Sequence, residues 1–261
     1  MSGLYAPGTG PDPGPGQRIA SASQMRTLDA RAVAEFGVSV QLLMENAGRV
    51  AADAVEMWMV EESVAGAVLV LAGPGNNGGD GYSFARTLRA RGHNVELWRI
   101  VGPGAEKEPR PEVQLHRALW ERAGGKSRAL DGGAGEMGRF ADEFAALEAA
   151  FSRSAVVVDA LFGTGLSRPL GEPFGAVLQS LLQSGQPVVA LDVPSGLDAD
   201  TGQAMGQVAP ARMTVTFAAL KRGLLVGDGL HLAGRVLAAE IGLPPALLAE
   251  LDRYQDADGP R

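Results

Sequence analysis

Three aspartates of this chain occupy places where a carboxylate has chemistry open to it. Asp80 closes the glycine-rich stretch AGPGNNGGDG, Asp159 lies in the apolar run AVVVDA, and Asp192 directly follows PVVAL. A carboxylate beside a buried strand is costly unless it caps a loop, holds a cation or exchanges a proton. For Asp159 and Asp192 all three readings stand. Around Asp80, Gly73, Gly75 and Gly78 satisfy G-x-G-x-x-G between an apolar run, Val68 to Leu71, and a helix-like run, Tyr82 to Ala90. Free backbone N–H groups and the helix dipole at such a place can hold phosphate, although the same glycines also suit a plain turn. Asn76 and Asn77 add amide donors and acceptors. A carboxylate at Asp80 would repel a pyrophosphate, so a cation or a hydroxylated, carbonyl-bearing group fits this stretch better. No Lys-Ser or Lys-Thr follows the glycines, which excludes a Walker-type phosphate loop.

The other reactive side chains point less sharply. Ser195 sits in P-S-G rather than in the G-x-S-x-G elbow, so a Ser-His-Asp hydrolase is poorly supported. His93, His116 and His231 are not spaced as a metal pair and read as surface or packing residues. Asp198 and Asp200, in GLDADTG, read as turn formers. Lys221, in TFAALKRG, could reach a site or simply be solvated.

The elements that carry these residues alternate. Short valine-rich strands at Val68 to Leu71, Ala155 to Ala160 and Pro187 to Leu191 each run into a loop of glycine, serine, threonine or aspartate. Helical stretches, Phe140 to Phe151 and Phe174 to Leu182, separate them. Strands alternating with helices imply a parallel sheet covered on both faces, and ligands bind such sheets outside the carboxyl ends of the strands. The three polar loops therefore converge on one edge. Asn94 to Val101 adds a strand, Pro111 to Arg122 a helix, and Met213 to Ala218 and Gly234 to Ile241 closing strands; GGKSRALDGGAGEMG reads as a poorly defined connection. Upstream, Ser21 and Gln24 form a capping box for a helix to about Phe36. A second helix, about Ser39 to Met59, turns Leu42, Leu43, Val50 and Val55 to an apolar face. Residues 1–17 form a Pro/Gly-rich head expected to be disordered, 18–245 one domain, and 246–261 a tail or linker.

A chain of 261 residues with 46% hydrophobic content is ample for one large α/β core. Its net charge of -7 and scattered Arg and Lys argue against a nucleic-acid surface. Cysteine is absent, which excludes disulfides, thiol catalysis and cysteine-held metal. No apolar run approaches the ~20 residues of a membrane span, and no signal peptide is visible, so a cytoplasmic setting is the default expectation.

AGPGNNGGDG, VVDALFGTGLSRPL, ALDVPSGLDADTG and TVTFAALKRG, with QMRTLDARA and LLMENAG upstream, resemble the NAD(P)H-hydrate epimerase family, the YjeF amino-terminal domain family. The resemblance covers roughly Ile19 to Leu243, and its specificity lies in several motifs recurring in order. It implies a Rossmann-like three-layer α/β/α sandwich, with a mostly parallel central sheet and an N-terminal helical pair, commonly dimeric. It implies interconversion of the R and S epimers of hydrated NADH and NADPH (NADHX and NADPHX), which carry a hydroxyl at C6 of the nicotinamide ring. An ATP- or ADP-dependent dehydratase specific for one epimer would then repair the whole pool.

Carried over by motif, Asn76, Asn77, Gly78, Gly79 and Asp80 would line the substrate site. Gly163, Thr164, Gly165, Leu166, Ser167, Arg168 and Pro169 would form a second wall and hold phosphate through backbone N–H groups. Asp192 would contact the hydrated ring, and its place directly after the strand PVVAL, at the sheet edge, makes it the expected acid/base residue. A potassium ion is implied, with Asn77, Asp159 and Ser195 offering the oxygen ligands a hard cation prefers. Leu220 stands where the family usually has proline, which leaves Lys221 outside the expected site. Some relatives fuse this domain ahead of a dehydratase, so the chain is expected to be either free-standing or the amino-terminal part of a longer protein. Two other readings stay open: a nucleotide-dependent oxidoreductase, with Glu96 as the ribose carboxylate, and a non-catalytic scaffold of the same fold.

Overall fold

The structure, a computed structural model, describes residues 4–5, 17–103, 109–132 and 137–257. Strands β1 (Leu4–Tyr5) and β2 (Ile19–Ala20) lead into a helical pair, α1 (Ala22–Phe36) and α2 (Val40–Glu61). The alternation then runs β3 (Val68–Ala72), α3 (Asn76–Ala90), β4 (Val95–Val101), α4 (Pro111–Arg122), β5 (Ser127–Asp131), α5 (Met137–Arg153), β6 (Val156–Ala160), α6 (Phe174–Ser184) and β7 (Val188–Leu191). It closes with β8 (Met213–Phe217), β9 (Leu220–Lys221), a short 3₁₀ turn, α7 (Gly229–Leu232), β10 (Arg235–Ala239) and α8 (Pro245–Ala257).

The main sheet has the order β1-β10-β8-β7-β6-β3-β4-β5. Its neighbours are parallel except β1, which pairs antiparallel with β10. Period-two alternation sorts the side chains between two cores. Val68, Val70 and Ala72 join the core under α2, α3 and α4, whereas Leu69 and Leu71 join that under α5 and α6. Three layers result, as the strand–helix alternation implies. β3, β6 and β7 are neighbours, so their loops emerge side by side.

Several expectations need correction. Helix α3 begins at Asn76, not near Tyr82, and absorbs three of the glycines that read as loop. Glycine inside a helix costs ~1 kcal/mol relative to alanine, but packing demands it here. A Cβ at Gly78 would overlap the Gly73 carbonyl, one at Gly79 would overlap the Met44 sulfur, and one at Gly81 would lie 2.8 Å from Ala160 Cβ. The stretch 124–138, expected to be ill-defined, contains β5, paired with β4, with Leu130 buried and Arg128 stacked 4.2 Å over Trp98. The expected tail from 246 is instead α8. Leu247, Leu248 and Leu251 share one buried face of it, while Asp252 and Glu250 meet Arg18 and Arg31 at 2.9 and 2.6 Å. Leu42 is half exposed and not part of the apolar face of α2. The head expected to be disordered falls mostly outside the described residues, apart from the Leu4–Tyr5 pairing.

Candidate active site

A cavity of about 700 Å³ opens at the carboxyl ends of β3, β6 and β7. The start of α3 and the loop after β6 form one side; α1, α2 and β9 supply the rest, together with Arg110 and Glu112. Asn76, Asn77, Asp80, Gly163, Thr164, Gly165, Leu166 and Asp192 line it, so most of the expected site is assembled there. Gly78 and Gly79 are buried within α3, where their lack of a side chain serves packing. Ser167, Arg168 and Pro169 are exposed and continue the loop beyond the cavity wall.

The backbone at the expected phosphate cradle is open. Gly75 caps α3 with its backbone alone, leaving the first N–H groups of the helix facing the cavity. Opposite, a Cβ on Gly165 would meet nothing within 4 Å, so its backbone is open to a ligand. A Cβ on Gly163 would instead overlap Asp192 Oδ2, so that glycine makes room for the carboxylate.

Asp192 has the left-handed φ of 66°, uncommon for a residue with a side chain. The turn aims its carboxyl back over the sheet edge, where Oδ1 meets Lys221 Nζ at 2.7 Å and Oδ2 accepts the Thr164 N–H at 3.0 Å. Burial opposes its ionisation, but the Lys221 charge and these hydrogen bonds prevail and hold the carboxyl below its usual range. Lys221, left out of the expected site, is therefore central to it. It is 1% exposed and also donates to the Phe217 carbonyl at 2.6 Å. Its position depends on the parallel pairing of β9 with β2, a contact between residues 201 apart that no local pattern discloses.

Asp29, on α1, was also missed, although QMRTLDARA contains it. Burial pushes its carboxyl up to about 6, with the Lys221 charge opposing and Asp192 adding to the rise. Asp80 is raised well above the usual range, first by burial and then by the charges of Asp192 and Asp29. Asp29, Asp80, Asp192 and Lys221 thus share the cavity, with the protonation states of the three aspartates driven apart.

The expected ion ligands Asn77, Asp159 and Ser195 are all buried. Asp159 is fully buried; its Oδ1 accepts from Ser195 Oγ at 2.6 Å and Leu161 N at 3.1 Å, and its Oδ2 from Ser195 N at 2.8 Å. Burial raises its pKa, and these bonds only partly offset that. Asn77 Nδ2 donates to the Leu191 carbonyl at 3.1 Å, whereas its buried Oδ1 has no hydrogen-bond partner. The orphaned amide oxygen and the buried carboxylate–hydroxyl pair are oxygen donors of the kind hard cations prefer.

The remaining residues fall into supporting roles. Asp198 accepts from the Asp200 and Thr201 N–H groups at 3.0 and 2.7 Å, as a turn former should, and Asp200 anchors Ala22 N at 2.7 Å. Glu96 pairs with Arg153 at 2.7 Å and with Trp98 Nε1 at 2.8 Å, away from the carboxyl edge, which weighs against the oxidoreductase reading. His116 is buried against the Gln41 carbonyl at 3.2 Å, a packing role.

Fold and site together define a doubly covered α/β protein with a nucleotide-sized, carboxylate-lined cleft. Residues 40–223 match the family described as YjeF-related protein N-terminus, and the chain belongs to that family. It is 32% identical over 224 residues to an NAD(P)H-hydrate epimerase of Limosilactobacillus fermentum, covering 86% of this chain and 97% of that one. It is 37% identical to a bifunctional NAD(P)H-hydrate repair enzyme of Thermofilum pendens, covering 89% of this chain but 42% of that protein. A similar bifunctional enzyme of Moorella thermoacetica is 34% identical, with 42% of its length spanned. The chain thus spans less than half of these two-function relatives. The crystal structure of yeast ynu0 superposes with a TM-score of 0.68 at 23% identity, covering 90% of this chain and 93% of that one, a likeness of fold. Among the described residues no helix is long and apolar enough to cross a membrane.

Proposed function

We propose that this chain interconverts the R and S epimers of hydrated NADH and NADPH. The observation that carries the reading is the union, in one cavity, of a backbone anion cradle with a buried carboxylate that stays ionised. The cradle of Gly163 to Gly165 and the α3 start suits the pyrophosphate of a dinucleotide, because burial and the neighbouring carboxylates favour the neutral form of Asp80 and so remove the repulsion a charged carboxylate would impose. Asp192 is available to take a proton from the C6 hydroxyl. The relatives named as NAD(P)H-hydrate epimerases support the same activity. Potassium, held by Asn77, Asp159 and Ser195, belongs to the proposal; when bound it would supply a fixed positive charge beside the cradle and tie the start of α3, β6 and the loop after β7 together. A cytoplasmic homodimer, and a functional partner in an ATP- or ADP-dependent dehydratase, complete it; the names of the bifunctional repair relatives favour the latter.

One assay separates this reading from its rivals. Acid-generated mixed NADHX epimers are perturbed from their equilibrium ratio, and the ratio is followed by chromatography. Accelerated return to equilibrium supports the epimerase; hydride transfer would support an oxidoreductase, and inertness a scaffold. Light scattering tests the dimer.

A further inference from the structure

We infer that Asp80 is a second acid–base group of this site, the carrier of a proton for the ring nitrogen, and that Asp29 is the positioning residue that keeps the proton on it. The inference rests on the epimerase reading and takes it to the level of steps. Asp192, ion-paired to Lys221 at 2.7 Å, can accept a proton but is poorly suited to hold one. Inversion at C6 through ring opening needs two stations. The hydroxyl proton passes to Asp192, and the oxygen lone pair forms the aldehyde C=O. The C6–N1 electron pair moves onto N1, which must gain a proton to leave as an enamine N–H. Rotation about C5–C6 presents the other face of the aldehyde. On closure N1 attacks C6 and gives its proton back, while Asp192 returns a proton to oxygen. The enzyme ends as it began, with no redox change and no co-reactant.

Asp80 meets the second requirement by position. It projects into the cavity from the first turns of α3, near the cradle, while Asp192 and Lys221 stand on the strand side. Asp29 reaches the same cavity from α1. The charged groups facing Asp80 are Asp29 on α1, Asp192 after β7 and Lys221 on β9, with Arg26, Arg110 and Glu112 also on the cavity wall. Burial and two neighbouring carboxylates favour the protonated form of Asp80, against one ammonium. Asp29 is held in place by construction: the Ser21–Gln24 capping box fixes the start of α1, and Asp200 grips Ala22 N.

The test uses the intact chain and measures kcat, KM, the melting temperature and NADP+ binding. Asp80→Asn should fold and bind NADP+, keep KM within a few-fold, and lose at least ~10²-fold in kcat. In the wild type, kcat should fall as pH rises through the raised pKa of Asp80. In Asp29→Asn that fall should move to lower pH, because Asp80 loses a negative neighbour, and Asp29→Glu should restore it. Turnover in ¹⁸O-water should leave the C6 hydroxyl largely unlabelled. A folded Asp80→Asn with near-normal kcat, an unmoved limb in Asp29→Asn, or label gained at every turnover would each overturn the inference. Failure of the wild-type chain to epimerise would sink the epimerase reading itself, which keeps the two failures distinct.

Discussion

At the scale of single residues, Asp192 and Lys221 form one device. Asn at position 192 keeps size and hydrogen-bonding reach but cannot exchange a proton. Asp192→Asn should therefore fold and bind nucleotide yet lose at least ~10²-fold in turnover. Near-normal epimerisation by this variant would move the catalytic role elsewhere. The sign of the pH effect follows from the lowered pKa. A base must be ionised, so activity persists above that pKa and is lost as pH falls through it. Lys221→Met removes the charge that opposes burial, so the acidic limb should move to higher pH; pH profiles of kcat/KM check this. Gly165 and Ser167, two residues apart, separate binding from stability. Gly165→Val meets open space and should weaken nucleotide binding far more than Ser167→Ala, with little change in melting temperature. Equal affinity in these two variants would reduce the loop to a turn.

At the scale of elements, the clasp of β2 on β9 and the start of α1 organise the catalytic wall. Ile19 and Ala20 pair with Leu220 and Lys221, and two residues later α1 begins. One short sheet thus sets both the lysine and the helix that carries Asp29. Ser21 accepts the Gln24 N–H at 3.1 Å, and the Gln24 side chain accepts the Ser21 N–H at 2.7 Å. Ser21→Ala should cost about 1 kcal/mol in chemical denaturation. A larger effect on kcat than on nucleotide affinity would trace the loss to α1, because the cradle lies on other elements. An unchanged denaturation midpoint would remove the capping box from the account.

For the whole molecule, the proposed ion ligands lie on β6, the start of α3 and the loop after β7, so an ion shared by them should be felt in global stability. A cation that binds only the folded chain raises the melting temperature by mass action. Melts in potassium and in a bulky organic cation at matched ionic strength should differ, and the difference should shrink in Asp159→Ala. That variant also strands the Ser195 and Leu161 N–H groups, so it should melt lower in both salts. Identical wild-type melts would remove the ion while leaving the fold untouched.

The parts legible from the chain alone are those governed by neighbours in sequence. Valine-rich runs of four or five residues, each followed by a glycine loop, reveal the three central strands and the edge where Asp80, Asp159 and Asp192 gather. Ser21 and Gln24, three residues apart, announce the start of α1. Contacts between distant segments decide the rest. Asn76 to Ala90 forms a helix through its glycines because Gly73, Met44 and Ala160 press against it, outweighing propensity. β5 exists because β4 offers it an edge, and α8 because Leu247, Leu248 and Leu251 find a core to bury against. Lys221 enters the site through a pairing across the length of the chain, and Asp29 through a helix packed over the cleft. Their chemistry is a property of burial and of opposing charge in one enclosed volume, and neither quantity is written in the spacing of the residues.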